Sequence, residues 1–470
     1  MRAHPLKNKR GQVLILAAFS LIVLIAFVGL AIDAGRGYGV KAKLNSAVDA
    51  AAIAAARALA EGESESARIA AAQSAAKEFY PANFPSKYLG ATLVPLKDGD
   101  VKATYDATTK RWTVDVSGSA IMPMTLMGIF GFGDVAVAAT GTTVRRDVDI
   151  VLVLDTSGSL GPPVSSADTL PKLKQAATDF VDQFNAGSGG DRVSVVSFSS
   201  GAVADVGFVA PYSRGFDKIA VKRAINDLAV TGSTASAEGM RVALNQINLI
   251  PVASRSDLRT IVFFSDGAPN SVPATFSNGG TLVTGDLYSE TDMNWMSACE
   301  PTSGSPREAC RLYWSDRRDS LRGTYPNIVS LPDFGFNVTG VGAIPLASYR
   351  SNRLLTGTPI SNTRCNVNKA ARNMVENVAN TARGQGVTVH TIALGVRVNT
   401  LELVNGFCAT YDANPAKEFG VNVLKRLANS VDSDTKDPLQ PIGLYVWAEN
   451  ASDLASAFSA IASEILRLSR

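Results

Sequence analysis

A chain of 470 residues is longer than one hydrophobic core organises, and 46% apolar with 19% charged residues fits a folded protein of two or three domains. The formal charge of +3 is spread over both halves without long basic blocks, so nothing marks a nucleic-acid partner. Two histidines, His4 and His390, are too few for His-based zinc sites or Ser-His-Asp catalysis, and His390, within the strand-like 387–393, reads as a core histidine.

Residues 1–12 carry Arg2, Lys7, Lys9 and Arg10 and read as a cytoplasmic tail. Residues 13–32 (VLILAAFSLIVLIAFVGLAI) hold no charge and are long enough to cross a bilayer as a helix. Asp33 and Arg36 follow, and the positive-inside rule places the remainder outside the cytoplasm, although Lys41 and Lys43 reduce the asymmetry. A cleaved signal peptide is the rival reading; its apolar core would run about 7–15 residues to a small-residue cleavage site, whereas this helical pattern continues unbroken.

Residues 33–146 read as a small α+β domain. An alanine-rich helix extends to about residue 60 with Val40, Leu44, Val48 and Ile53 as its apolar stripe, and 64–80 forms a second helix. Residues 101–105 and 112–116 alternate like strands around a turn at 106–110, and 135–144 is a third strand. No carboxylate cluster, cysteine or phosphate loop appears there, so the unit reads as scaffold.

From residue 147 to 470, strands at 149–154, 192–198, 203–208, 260–264, 387–394 and 444–448 alternate with helices at 171–184, 216–228, 235–247, 367–383, 419–430 and 452–468. This is the pattern of an α/β, doubly wound, Rossmann-like domain, whose sites form at the carboxyl ends of strands. The apolar run Ile150–Leu154 ends in Asp155-Thr156-Ser157-Gly158-Ser159, a carboxylate and two hydroxyls spaced two apart. Oxygen donors of this kind suit a hard divalent cation, Mg²⁺ first, with Mn²⁺ or Ca²⁺ able to use similar ligands. Thr231-Gly232-Ser233-Thr234 precedes a helix, and Ser265-Asp266-Gly267 ends the strand Ile261-Val262-Phe263-Phe264.

Together these three segments resemble the von Willebrand factor type A domain and its metal-ion-dependent adhesion site. The resemblance implies that Ser157, Ser159 and Thr234 coordinate the cation and that Asp155 and Asp266 bind it directly or through water. Neutral hydroxyls leave much of the ion's charge uncompensated, so a partner's Asp or Glu could complete the shell. The plainer alternative is that these hydroxyls only cap helices and turns.

Residues 268–365 interrupt the domain, rich in Gly, Pro, Ser and Asn, and are too long for a structureless loop, so an inserted subdomain is expected. It leaves the sheet after Asp266 and is expected to roof or border the metal site. Cys299, Cys310, Cys365 and Cys408 form no C-x-x-C pair and suit disulfides in an oxidising compartment. Of three possible pairings, Cys299–Cys310 and Cys365–Cys408 are expected.

The run Arg10-Gly11-Gln12-Val13, the apolar span, Ala31-Ile32-Asp33-Ala34-Gly35-Arg36 and Lys43-Leu44-Asn45-Ser46-Ala47-Val48-Asp49-Ala50-Ala51 resemble the anchor of TadE/TadG-like proteins of Tad (Flp) pilus assembly. An anchor of this kind joined to a type A domain resembles the TadG-like layout. The resemblance implies a bacterial inner-membrane protein with periplasmic C-terminal domains, a non-enzymatic, metal-dependent binding component whose partners are other pilus-assembly proteins. Processing by a prepilin peptidase would need Glu where Leu16 stands, so permanent anchoring is expected. The alternative is a surface adhesin that binds host or matrix protein through the same metal site. No G-x-x-x-x-G-K-[ST] loop or nucleophile–base pair suggests an enzyme.

Overall fold

The computed structural model describes residues 10–59, 64–106, 111–163, 165–187, 190–230, 232–267, 269–289, 296–299, 322–324, 328–348, 353–395 and 420–469. The chain divides into two compact units, Met1–Arg145 and Arg146–Arg470.

In the first unit, α1 (Arg10–Ala58) is one uninterrupted helix of 49 residues, roughly 70 Å long. Its early apolar side chains, from Val13 to Ile32, point outward with nothing packed over most of them. That exposure is unfavourable in water, at about 25 cal/mol per Å², and suits a hydrocarbon surrounding. The later turns bury Val40, Leu44, Ala47, Val48, Ala51, Ala52 and Ala55. Ile53 does not join this stripe and is only half-buried. Five residues beyond Val48 it has turned about 140° away, and alanines fill the stripe where α2 comes close.

α2 (Glu65–Ala82) begins at Ser64, whose hydroxyl accepts the Ala67 N–H. The sheet beneath comprises β1 (Thr92–Val94), β2 (Val101–Asp106), β3 (Arg111–Met122) and β4 (Val135–Arg146), with β3 pairing to all the others. Trp112, Val114, Val116, Ala120 and Met122 alternate along β3 and close the core against α1 and α2.

The second unit is built on β5 (Val148–Asp155), α3 (Thr169–Asp182), β6 (Arg192–Phe198), β7 (Ala202–Val206), α4 (Lys218–Asn226), α5 (Ser236–Leu249) and β8 (Leu258–Ser265). After the insertion come α6 (Arg364–Gly384), β15 (Thr388–Leu394), α7 (Gly420–Ala428), β16 (Tyr445–Ala448) and α8 (Leu454–Leu468). The sheet order is β16-β15-β8-β5-β6-β7, parallel except for β7. Ile150, Leu152 and Leu154 pack with α3, α4 and α8, while Val151 and Val153 pack with α5, α6 and α7. Both faces are covered, which explains the unbroken apolar runs of β5 and β8. His390 is fully buried on β15, where Nδ1 accepts the Leu444 N–H at 3.0 Å; burial lowers its pKa to about 4, so the ring is neutral.

The insertion contains the hairpin β9 (Ser271–Asn278) and β10 (Thr281–Ser289), extended by β11 (Met296–Cys299) and β12 (Arg322–Thr324), and a second hairpin, β13 (Phe334–Val338) with β14 (Gly342–Pro345). Among the described residues, its buried apolar side chains pack onto the helices of the sheet domain. Val272, Ala274, Phe276, Leu287, Ile344 and Leu346 join the same cluster as Met374, Val375 and Val378 of α6. Their apolar faces need a partner, and the outer surface of α5 and α6 supplies one. The expected cysteine pairings lie outside the described residues, because Cys310, Cys408 and the Cys299 side chain are not among them.

Candidate functional site

The sheet order reverses between β5 and β8: the chain leaves β5 towards β6 and later returns on the other side as β8. Ligands of doubly wound sheets bind outside the carboxyl ends of strands at such a point. Asp155 is the last residue of β5, and Asp266 follows the last residue of β8.

Asp155 is fully buried. Its Oδ1 accepts the Ser157 N–H at 2.8 Å and its Oδ2 accepts the Ser265 hydroxyl at 2.6 Å. Loss of hydration is the largest influence on this carboxyl and raises its pKa to about 6, against hydrogen bonds from Ser157, Ser265 and the Asp266 N–H that favour the charged form. Ser157 Oγ lies 3.0 Å from Ser159 Oγ, and the Ser159 hydroxyl donates to Asp266 Oδ1 at 2.7 Å. Ser157, Ser159 and Asp266 are thus joined through side-chain oxygens, and Asp155 meets that chain through the Ser157 N–H.

Thr234 arrives on a separate loop. Gly158 N–H donates to the Gly232 carbonyl at 3.0 Å, which ties that loop to the Asp155–Ser159 turn. Gly232 has φ +76°, and a Cβ there would stand 2.4 Å from Ser200 Oγ, so both conformation and space require glycine. Thr234 N–H donates to Asn270 Oδ1 at 2.8 Å, and its carbonyl accepts the Asn270 N–H at 3.2 Å. The start of the insertion therefore borders the site through Asn270.

The hydroxyls do not serve as helix caps. Ser157 precedes a short 3₁₀ turn without a side-chain capping bond, and the N-cap of α5 is Ala235, not Thr234. Among the described residues, no three His, Cys, Asp or Glu side chains cluster as a metal site. The two carboxylates and three hydroxyls singled out from the sequence lie on three loops linked by these hydrogen bonds, and oxygen donors of this kind suit a hard divalent cation.

The von Willebrand factor type A domain family matches residues 150–268, which include all five candidate ligands. The Flp pilus-assembly TadE/G-like family matches residues 11–58, nearly the whole of α1. The chain carries a TadE/G-like segment and a von Willebrand factor type A domain. The matched part runs from within β5 to just beyond Asp266.

No curated protein matched the sequence. Among solved structures, the von Willebrand factor domain of a type V pilus tip protein from Porphyromonas gingivalis is 17% identical, with 70% of this chain and 98% of that one covered and a TM-score of 0.37. The PilB minor pilin from Streptococcus sanguinis is 15% identical, with 82% and 81% covered and a TM-score of 0.36. Proximal thread matrix protein 1 from the mussel byssus, with a zinc-occupied adhesion motif, is 14% identical, with 68% and 46% covered and a TM-score of 0.33.

Three supporting residues escaped the sequence reading. Ser265 lies inside the Ser265-Asp266-Gly267 segment, yet its hydroxyl holds Asp155 rather than extending the donor set. Asn270 and Ser200 carry no local motif and are recruited by loops distant in sequence.

Proposed function

We propose that this protein is a membrane-anchored, non-enzymatic component of Tad/Flp pilus assembly whose type A domain binds a protein partner through a divalent cation, Mg²⁺ first. Asp155, Ser157, Ser159, Thr234 and Asp266 would hold the ion. The observation that carries this reading is Asp155: a fully buried carboxylate with no ion-pair partner among the described residues, placed among hydroxyls at the switch point. A buried carboxylate without a countercharge is costly, and a cation supplies that countercharge. Five donor groups leave an octahedral ion one position for an Asp or Glu of the partner. The apolar turns of α1 and the TadE/G-like match support anchoring, and the reading places the tail in the cytoplasm and both folded units in the periplasm of a bacterial inner membrane.

Calorimetric titration of Mg²⁺ into the full chain in detergent tests the proposal. Binding by the parent and its loss in Asp155→Ala are expected. A folded parent that binds no Mg²⁺, Mn²⁺ or Ca²⁺ would overturn it.

A further inference from the structure

β3 runs out of its sheet into a segment with no charged residue from Val116 to Gly133. The end of that segment is bent back onto α1 by one side chain. Asp33, fully buried, accepts the N–H groups of Thr125 (3.2 Å), Leu126 (3.0 Å) and Met127 (2.9 Å), together with the Thr125 hydroxyl (2.5 Å). Arg36 pairs with Asp33 at 3.0 Å, donates to the Thr125 hydroxyl and the Pro123 carbonyl, and holds the Leu89 carbonyl at 2.7 Å. The two charges form a bracket just past the apolar span.

One turn back along α1, a Cβ on Gly29 would stand only 2.9 Å from the Leu126 Cβ and 3.8 Å from the Met127 Sδ. The loop is therefore pressed against the anchor helix itself, about 6 Å inside the Asp33 level. From this contact the chain turns through Ile129, Phe130 and Phe132, which are 77%, 41% and 58% exposed. Large apolar side chains grouped on one loop mark an interaction surface. Their surroundings point to the partner, since the loop meets the anchor helix at Gly29, where the neighbouring Val28 and Ile32 are also exposed.

We propose that the Leu126–Phe132 loop is a second membrane contact, seated in the headgroup–acyl boundary of phospholipid beside the anchor helix, with Asp33 and Arg36 fixing its depth. This rests on the reading of residues 13–32 as a membrane anchor. An apolar surface buried about 5–10 Å into that boundary needs no full crossing, and a short loop reaches that far. Two attachment points would hold the first unit against the membrane in one orientation, where a single helix leaves it free to swivel.

The test uses the full chain in phosphatidylethanolamine–phosphatidylglycerol vesicles, with photoreactive benzoylphenylalanine in place of Ile129 or Phe132. Leu21 is the anchor control and Leu439, 94% exposed, the aqueous control. These side chains project outward, so the replacements leave the core untouched. About tenfold more lipid adduct at 129 and 132 than at 439 is expected, with position 21 also labelled. Labelling at 21 with only the level of 439 at 129 and 132 would overturn the loop contact and leave the anchor standing. No adduct at 21 would overturn the anchor reading and the loop contact together.

Discussion

The two ends of β5 bury a carboxylate each, and they treat it in opposite ways. Near the amino end, Asp149 meets Arg192 in a two-pronged pair, Nε to Oδ1 at 2.8 Å and Nη2 to Oδ2 at 3.1 Å, and accepts the N–H and hydroxyl of Ser256 at 2.8 Å each. At the carboxyl end, six residues on, Asp155 is as deeply buried and, among the described residues, receives N–H and O–H donors alone. Burial is equal, so burial alone does not mark function. The difference is compensation: one charge is neutralised within the fold, and the other has no cationic side chain paired with it among the described residues.

The largest expected effect is at the neutralised end. Arg192→Ala removes the two-pronged partner of buried Asp149, leaving only Arg214 at 3.8 Å, and is expected to cost about 3 kcal/mol of stability in denaturant unfolding. Asp155→Asn should have the reverse profile, with metal-free stability equal to or above the parent and Mg²⁺ affinity reduced at least ~100-fold by calorimetry. Equal losses of stability in both variants would dissolve the contrast.

Titration sharpens it further. His390 has a folded pKa of about 4 against an ordinary 6.5, so between those values the unfolded chain binds a proton that the folded chain refuses. Its contribution is whole above pH 6.5 and declines by about 3 kcal/mol as the pH falls to 4. Metal-free Asp155 acts with the opposite sign: its folded pKa of about 6 exceeds the ordinary 3.8, so protons taken up in that window favour the folded state. Unfolding midpoints of the parent and His390→Leu between pH 7 and 4 isolate the histidine, and the variant should lose less stability on acidification.

The smallest expected effect is at Asn270. Asn270→Ala removes the acceptor of the Thr234 N–H, and should weaken Mg²⁺ binding about tenfold while costing about 1 kcal/mol. Unchanged affinity in that variant would separate the insertion from the site.

Much of this was legible because it depends on local rules. The buried strands β5, β6 and β8 announce themselves as β-branched apolar runs, and the hydroxyl-rich turn after Asp155 carries its chemistry in five consecutive residues. The insertion was harder: nothing local foretells that Val272, Phe276 and Leu287 of its hairpins join the cluster that holds α5 and α6. Ile53 misled for a similar reason, since a loose apolar repeat does not reveal which turn meets the neighbouring helix.

By itself, then, the sequence determined the long apolar helix, the alternation of a doubly wound sheet and the five oxygen-bearing residues, because period, propensity and motif act over a few neighbours. Only the tertiary structure decided that Ser265 holds Asp155, that Asn270 sets Thr234, that Asp149 is neutralised by Arg192, and that Asp33 draws the loop at Thr125–Met127 onto the helix. Each of the three hydrogen bonds and the ion pair joins residues between 36 and 110 positions apart. Such contacts arise from burying polar groups together, and no local pattern in the chain encodes which distant partner satisfies them.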